Sequence, residues 1–478
     1  MITFISSIVL LVVGYVVYGA VVEKIFGIDA SRPTPATTHA DGVDYVPMSG
    51  WRIFLVQFLN IAGLGPIFGA IMGIFFGPSA FLWIVFGTIF AGGVHDYLSG
   101  MISLRKNGAS LPEIVGGELG NGVKHFMRAL SLVLLLLLTT TFLTGPANLL
   151  HGLVENISVM WWILIVFVYY MLATLLPIDK IIGHLYPIFG GVLLFMGIGI
   201  MVMMFVNNAP IPEVTDGLQS RDPNGYPLFP MMFVSIACGA ISGFHGTQSP
   251  IMARCMTNER QGRRIFYGAM VAEGILALIW AAAAGSFFGG IDGLQAFAAE
   301  HHGENIAALV IDKISRTWLG KVGGVLAIIG VVVAPITSGD TALRSARLIV
   351  ADFLHLEQKS IPKRLIISLP MFAVVFGMTF VDFEVVWRYF SWTNQTLAAF
   401  TLWTGVIFLC RNSRYRWGYV VALVPALFMT AVSTCYIIVA REGFSLPLWI
   451  GYVTSAVACI VCATIFANWK LKFNSNRK

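Results

Sequence analysis

The sequence predicts an all-α polytopic membrane protein of about thirteen transmembrane helices, and two observations carry that expectation. Hydrophobic residues make up 57% of the 478 and charged residues only 11%, where an average soluble domain carries about 25% charged. Mean hydropathy is +0.81, and apolar runs of about 20 residues, the length that crosses a bilayer, recur along the chain. The formal net charge of +6 is spread through short loops instead of one soluble face, which excludes a nucleic-acid-binding reading.

Runs bounded by charge, Pro and Gly clusters place spans 1 to 13 at 2–22, 52–76, 79–102, 127–149, 160–177, 181–206, 230–250, 266–288, 321–349, 364–380, 385–409, 417–439 and 447–469. Basic residues test this map, because cytoplasmic loops carry the excess. Segments after odd-numbered spans hold 24 of the 30 Lys and Arg, and those after even-numbered spans hold 6. The N-terminus is therefore expected outside and the C-terminus in the cytoplasm. Span 1 has no basic residue before Lys24 and no A-x-A-like cleavage site, so it reads as a retained helix rather than a cleaved signal peptide. The six cysteines lie in or beside apolar runs, where free Cys packs as a small hydrophobe. Cys459 and Cys462 form a C-x-x-C without the βαβ context of a redox motif.

Span 2 contains Asn60-Ile61-Ala62-Gly63-Leu64-Gly65-Pro66, and span 7 contains Cys238-Gly239-Ala240-Ile241-Ser242-Gly243-Phe244-His245-Gly246. Pro66 removes a backbone donor and clashes with the preceding turn. Both spans are expected to unwind, near Gly63 to Pro66 and Ile241 to Gly246. Unwound backbone at bilayer depth is tolerated only against protein or water, which makes each break a candidate binding site. The competing reading is that the glycines only let helices pack closely. Span 2 enters from the cytoplasm and span 7 from outside, so 51–206 and 207–409 read as inverted repeats. Residues 1–50 then add one helix and a cytoplasmic loop, and 410–478 add two helices and a basic tail.

Four strings in order, His95-Asp96-Tyr97-Leu98-Ser99-Gly100, Ala237 through His245, Thr337-Ser338-Gly339-Asp340-Thr341-Ala342-Leu343-Arg344-Ser345-Ala346-Arg347 and Asn394-Gln395-Thr396-Leu397-Ala398, resemble the carbon starvation protein A family. The resemblance implies a multi-pass transporter of the bacterial inner membrane, related to the amino-acid/polyamine/organocation superfamily, with its LeuT-like five-plus-five fold. It implies uptake of peptides or pyruvate. The sequence departs from larger members at Gly246-Thr247-Gln248-Ser249-Pro250, beside the second break. By the same likeness, hydroxyls of Thr337, Ser338 and Thr341 would join carbonyls near Ala62 and Gly63 in a coupling-ion site. Hard oxygen ligands suit Na⁺, while Asp340 could instead carry H⁺ or pair with Arg344 at i+4. No other cofactor is expected.

Ionisable groups at bilayer depth are functional candidates. His95, Asp96 and Glu273 form a possible proton relay. Adjacent helical residues diverge by about 100°, so His95 is expected to bond a partner other than Asp96. Glu273 is expected to pair with an arginine. His245 and Gln248 begin the second half of span 7, where free N–H groups and the helix dipole favour an anion. With Gly63, Gly65, Ser242, Gly243 and Asn394 they make up the expected substrate site, suited to a small carboxylate. Gln395 is expected to serve as an interhelical hydrogen-bonding group. His301-His302 is a weak metal set in an external loop, and a short interfacial helix is expected at Ser110 to Gly117.

The resulting expectation is a cation-coupled secondary transporter working by alternating access. A channel or a transporter-derived nutrient sensor is the alternative, and an intramembrane enzyme a remote one. The chain has no G-x-x-x-x-G-K-[ST], H-E-x-x-H or G-x-S-x-G pattern.

Overall fold

Backbone polar groups have no water to bond inside a bilayer, so apolar spans satisfy them internally by winding into helices. A computed structural model describes residues 1–42, 44–175, 178–302, 304–358 and 360–475. All the regular structure among them is helical. The end of span 5 at 176–177 and the last three residues of the basic tail lie outside the described residues.

The spanning elements are α1 (Ile2–Phe26), α2 (halves Gly50–Ile61 and Gly65–Phe76), α3 (Ser79–Arg105) and α4 (Asn121–Leu153). They continue with α5 (Val159–Leu175), α6 (Ile178–Val206) and α7 (Leu228–Met232 and Phe233–Ser235, then Gly243–Ala253). The remainder are α8 (Glu259–Phe287), α9 (Ile306–Leu354), α10 (Ile361–Met378), α11 (Phe383–Asn412), α12 (Val420–Val439) and α13 (Leu448–Ser475). Among the described residues, nine of these are long and apolar enough to cross a bilayer as single helices, and the two halves of α2, bent by 46°, make a tenth. The other three explain themselves: α5 is short, α7 is interrupted, and α11 carries a polar face.

Contacts between loops separate the two ends of the bundle. On the basic side Arg105 binds Glu259 and the Gly27 carbonyl, Arg411 binds Glu118, and Met48 N–H bonds the Cys255 carbonyl. On the other side the N-terminal ammonium meets Glu213, Arg221 meets Asp292, and Arg388 meets Glu442. The N-terminus and the end of α13, where Arg411 lies over the Trp469 ring, accordingly lie at opposite ends. In the membrane plane, α3 and α8 are each 83% buried over their apolar windows, while α13 is only 17% buried. Ile2, Ile460 and Ile465 are among the apolar side chains left facing outward, toward lipid.

The segment 289–320, expected as a loop, is largely helical. Ile291–Glu300 forms one helix, and α9 begins at Ile306, turning at Gly320, whose φ of +67° a side-chain-bearing residue rarely adopts. Val310, Ile311, Ile314 and Trp318 recur at helical spacing and are buried, an amphipathic pattern too short and too charged to read as a span. The expected interfacial helix is present as Leu111–Leu119, with Pro112 in its first turn.

Besides the turn at Leu228–Met232 in α7, three helices carry π-helical turns, at Gly14–Tyr18 in α1, Thr88–Gly92 in α3 and Arg263–Tyr267 in α8. They meet: Tyr267 hydroxyl donates to the Ile89 carbonyl at 2.7 Å, and a Cβ on Gly14 would fall 2.5 Å from the Ile89 side chain. Each extra residue advances the helix by about 100°. The turn in α3 thus re-aims His95 and Asp96 toward α7.

Candidate functional site

Both expected breaks exist, and both begin earlier than the glycines suggest. In α2 the helix stops at Ile61, Ala62 adopts φ −77°, ψ 47°, and helix resumes at Gly65. Pro66 sits in the first turn of the second half, where its missing N–H costs no intrahelical bond. In α7 the break runs from Ile236 to Ser242, and Gly243 to Gly246 are helical. The expected unwinding at 241–246 is corrected accordingly. Its cause lies across the interface, where Asn394 of α11 supplies what a local cap would otherwise supply.

Asn394 Oδ1 accepts from Phe244 N–H at 2.8 Å and from Ser242 Oγ at 3.0 Å, so a neighbouring helix caps the second half of α7. The Cys238 Sγ lies 3.5 Å from Ser242 Oγ. Gln395 Nε2 approaches the Phe233 carbonyl, just before the break, at 3.4 Å and the Ile241 carbonyl, within it, at 3.5 Å. Thr88 of α3 donates to the Gly239 carbonyl at 3.1 Å. A Cβ at Gly243 would lie 2.4 Å from the Asn394 carbonyl, which keeps α7 this close to α11 only with glycine there.

Four ionisable side chains meet beside this capped start. His95 Nδ1 lies 2.8 Å from Asp96 Oδ1, Asp96 Oδ2 lies 2.9 Å from His245 Nδ1, and His245 Nε2 lies 3.3 Å from Glu273 Oε2. All four are fully buried. Two expectations are corrected here. His95 does bond Asp96, because a short carboxylate and a ring converge at their tips although their Cα–Cβ bonds diverge. Glu273 pairs with His245, where an arginine was expected. The expected anion site is also corrected: Phe244 N–H is taken by Asn394, His245 N–H bonds the Ser242 carbonyl at 3.2 Å, and the imidazole faces two carboxylates. A substrate anion at His245 would meet negative charge. Gln248 Nε2 donates to the neighbouring Thr247 Oγ1 at 3.1 Å.

On α9, Ser338 Oγ reaches the Leu59 carbonyl of α2 at 3.1 Å and its own Ala334 carbonyl at 2.9 Å. Thr337 donates to Ala334, and Thr341 to Ser338. The Ser338 hydroxyl thus touches α2 just before Ala62 and Gly63. Asp340 is buried with Oδ1 lacking a hydrogen-bond partner. Arg344, one turn beyond Asp340, has Nη1 3.6 Å from Asp44 Oδ1. Gly63 and Gly65 serve close packing, since a Cβ would come within 2.6 Å of Phe142 and 2.3 Å of Cys238.

Sequence reasoning passed over three buried side chains. Gln57 and Asn60, on the first half of α2, are fully buried with both amide atoms unpartnered, and Asn60 stood in the break motif itself. Arg347 is fully buried, with Nη1 on Gln358 and two nitrogens unpartnered. Its signal was a basic pair, Arg344 and Arg347, inside an otherwise apolar span.

A family model described as carbon starvation protein CstA matches residues 1–151, 146–316 and 293–436. An uncharacterized membrane protein of Haemophilus influenzae is 42% identical over 346 residues, 62% of this chain and 93% of that one. The peptide transporter CstA of Bacillus subtilis is 29% identical over 346 residues, 58% of this chain and 57% of that one. The pyruvate/proton symporter BtsT of Escherichia coli is 27% identical over 341 residues, 58% of this chain and 47% of that one. The match thus spans about half the length of these two curated transporters. Among solved structures, a manganese transporter of Eremococcus coleocola superposes with a TM-score of 0.56 at 13% identity, covering 90% of this chain and 98% of that one. MhsT in complex with L-phenylalanine gives 0.56 at 13%, covering 81% and 99%. These likenesses show the fold, a LeuT-like arrangement with α2 and α7 discontinuous. With a family model covering nearly the whole length, this chain belongs to the carbon starvation protein CstA family.

Proposed function

We infer that the protein is a secondary transporter that imports a small carboxylate, pyruvate or a short peptide, across the bacterial inner membrane by alternating access, with H⁺ as the coupling ion. The observation that carries this reading is the buried bridge Asp96–His245–Glu273, which joins α3, the second half of α7 and α8. A neutral imidazole donates from one ring nitrogen and an imidazolium from both. Gaining or losing one proton therefore changes how tightly α7 is tied to α3 and α8, which is what coupling to a proton gradient requires. Relatives named as peptide transporters and as a pyruvate/proton symporter support the same chemistry.

In this reading the halves 51–206 and 207–409 move against one another around the two breaks. Gln57 and Asn60 are poised to meet a polar substrate near the α2 break. Positive charge for a carboxylate comes from α9, where Arg344 and Arg347 are buried, rather than from His245. The excess of Lys and Arg on one side supports a cytoplasmic C-terminus.

A second reading takes Na⁺ as the coupling ion, favoured by the Ser338 hydroxyl reaching α2 beside Ala62. Proteoliposome uptake with H⁺ and Na⁺ gradients imposed one at a time separates the two. Accumulation driven by the pH gradient alone and lost in Glu273→Gln is expected; accumulation driven by Na⁺ alone would transfer coupling to α9. No uptake of pyruvate or of di- and tripeptides under either gradient would remove the substrate assignment. For a carboxylate cargo, the amidated analogue should fail to compete.

A further inference from the structure

On the basic side of the molecule, the ends of α1, α3 and α11 enclose a cavity of about 650 Å³ whose charged lining is Arg32, Arg105, Lys106, Arg414 and Asp29. A second, mostly apolar groove of about 350 Å³ adjoins it along the last turns of α1, lined by Val21, Lys24, Ile25, Tyr415 and Trp417. We propose that the two together form a binding site for one anionic phospholipid, its phosphate headgroup in the basic cavity and an acyl chain along the groove.

The charges are not all spent on one another. Arg105 is held by Glu259, at 3.0 and 2.9 Å, and Lys106 by Glu118 at 2.6 Å. Arg32 is half exposed and only 3.8 Å from Glu259. Asp29 turns its carboxylate onto the Ser31 N–H and hydroxyl. Lys24 and Arg414 are exposed, and no ion pair is recorded for either among the described residues. Two exposed cations thus line the site, Arg414 in the polar cavity and Lys24 in the groove.

The neighbouring surface has the composition of a membrane interface. Trp417 is 65% exposed and Tyr415 46%, and such amphipathic rings settle at headgroup level. Lys470 lies 3.7 Å from the Tyr419 ring centroid, and Arg416 sits over Trp417. Val21, 42% exposed, continues the apolar wall toward the bilayer centre. A soluble anion would use the cavity and leave the groove empty. A phospholipid fills both, and basic pockets between helix ends on the side richer in Lys and Arg are where anionic headgroups bind.

The test is native mass spectrometry and thermal melting of the purified full chain with phosphatidylglycerol, with phosphatidylethanolamine of matching acyl chains, and with inorganic phosphate. Preferential retention of one phosphatidylglycerol and a raised melting midpoint are expected. In Lys24→Gln/Arg414→Gln the preference should fall on the order of tenfold, as expected for two cations lost beside an anionic surface. Arg221→Gln/Arg441→Gln, which removes equal charge at the opposite end, should leave it unchanged. Equal retention of the two lipids, an unchanged preference in Lys24→Gln/Arg414→Gln, or an equal loss in the control pair would overturn the proposal. Stabilisation by inorganic phosphate matching that of the lipid would replace it with a soluble-anion site.

Discussion

At the α2 break the chain leaves helical geometry only between Ile61 and Gly65, whereas in α7 seven residues, Ile236 to Ser242, lie outside it. The short break is held by close packing. Gly65, Gly69 and Gly73 recur every fourth residue on the second half of α2, and a Cβ on each would lie 2.3 Å from Cys238, 2.8 Å from the Ser235 carbonyl and 2.1 Å from Ile236. The long break is held by polar groups from other helices, with Asn394, Gln395 and Thr88 bonding its backbone and Ser242. One break is therefore a surface shaped to admit the other. A steric support tolerates no added atom, while a polar support tolerates substitutions that keep an acceptor in place.

Substitutions at the two breaks and beside them sharpen or break that contrast, beginning with the largest expected effect. His245→Ala removes the group between Asp96 and Glu273 and strands two buried carboxylates, a loss of about 3–5 kcal/mol where the ion pair was intact. Thermal melting and proton-driven uptake should both collapse. Glu273→Gln spares the structure and should abolish only the gradient dependence, so wild-type coupling in Glu273→Gln would detach the bridge from transport.

Gly65→Val tests the packed break. Its side chain collides with Cys238, and overpacking costs roughly 3 kcal/mol where backbone must shift. Cys238→Gly should recover part of the lost melting temperature in the double variant; the absence of any recovery would show that the glycine row answers to something other than α7.

Asn394→Ala leaves the Phe244 N–H and Ser242 hydroxyl without their buried acceptor, worth about 2 kcal/mol. Asn394→Asp keeps an acceptor oxygen and should retain more of the melting temperature and of uptake than Asn394→Ala. Equal damage in both would argue against the capping role.

Ser338→Ala is the mildest, about 1 kcal/mol for the loss of the hydroxyl's bond to the Leu59 carbonyl. Melting should barely change, and uptake driven by the pH gradient should persist. A strong dependence of its uptake on external Na⁺, absent from Gly65→Val at equal expression, would move the coupling ion to α9.

The spans were legible because membrane insertion leaves a direct mark: apolar runs of fixed length and a charge bias between loops. The breaks were legible to within a few residues, since only Gly and Pro clusters suggest them. Their edges were not, because Asn394 lies about 150 residues from Phe244 and no local pattern shows that it will cap that turn. The helices in 289–320 were missed for a related reason, as their apolar faces make sense only against the bundle they close.

Composition, periodicity and the order of four motifs determined that this chain is a bilayer-spanning protein with two interrupted helices, related to the carbon starvation proteins. Those properties follow from local covalent preferences and from the solvent each segment must meet. Tertiary structure alone decided who pairs with whom. The π-helical turn at Thr88–Gly92 shifts the phase of α3, so a helical wheel drawn through the sequence misdirects His95 and Asp96. Only after that shift, and with α7 broken and α8 alongside, can one imidazole stand between Asp96 and Glu273. Charge partners at bilayer depth are set by which helices touch, because the low dielectric makes an unpaired charge costly and leaves each group to its nearest partner in space.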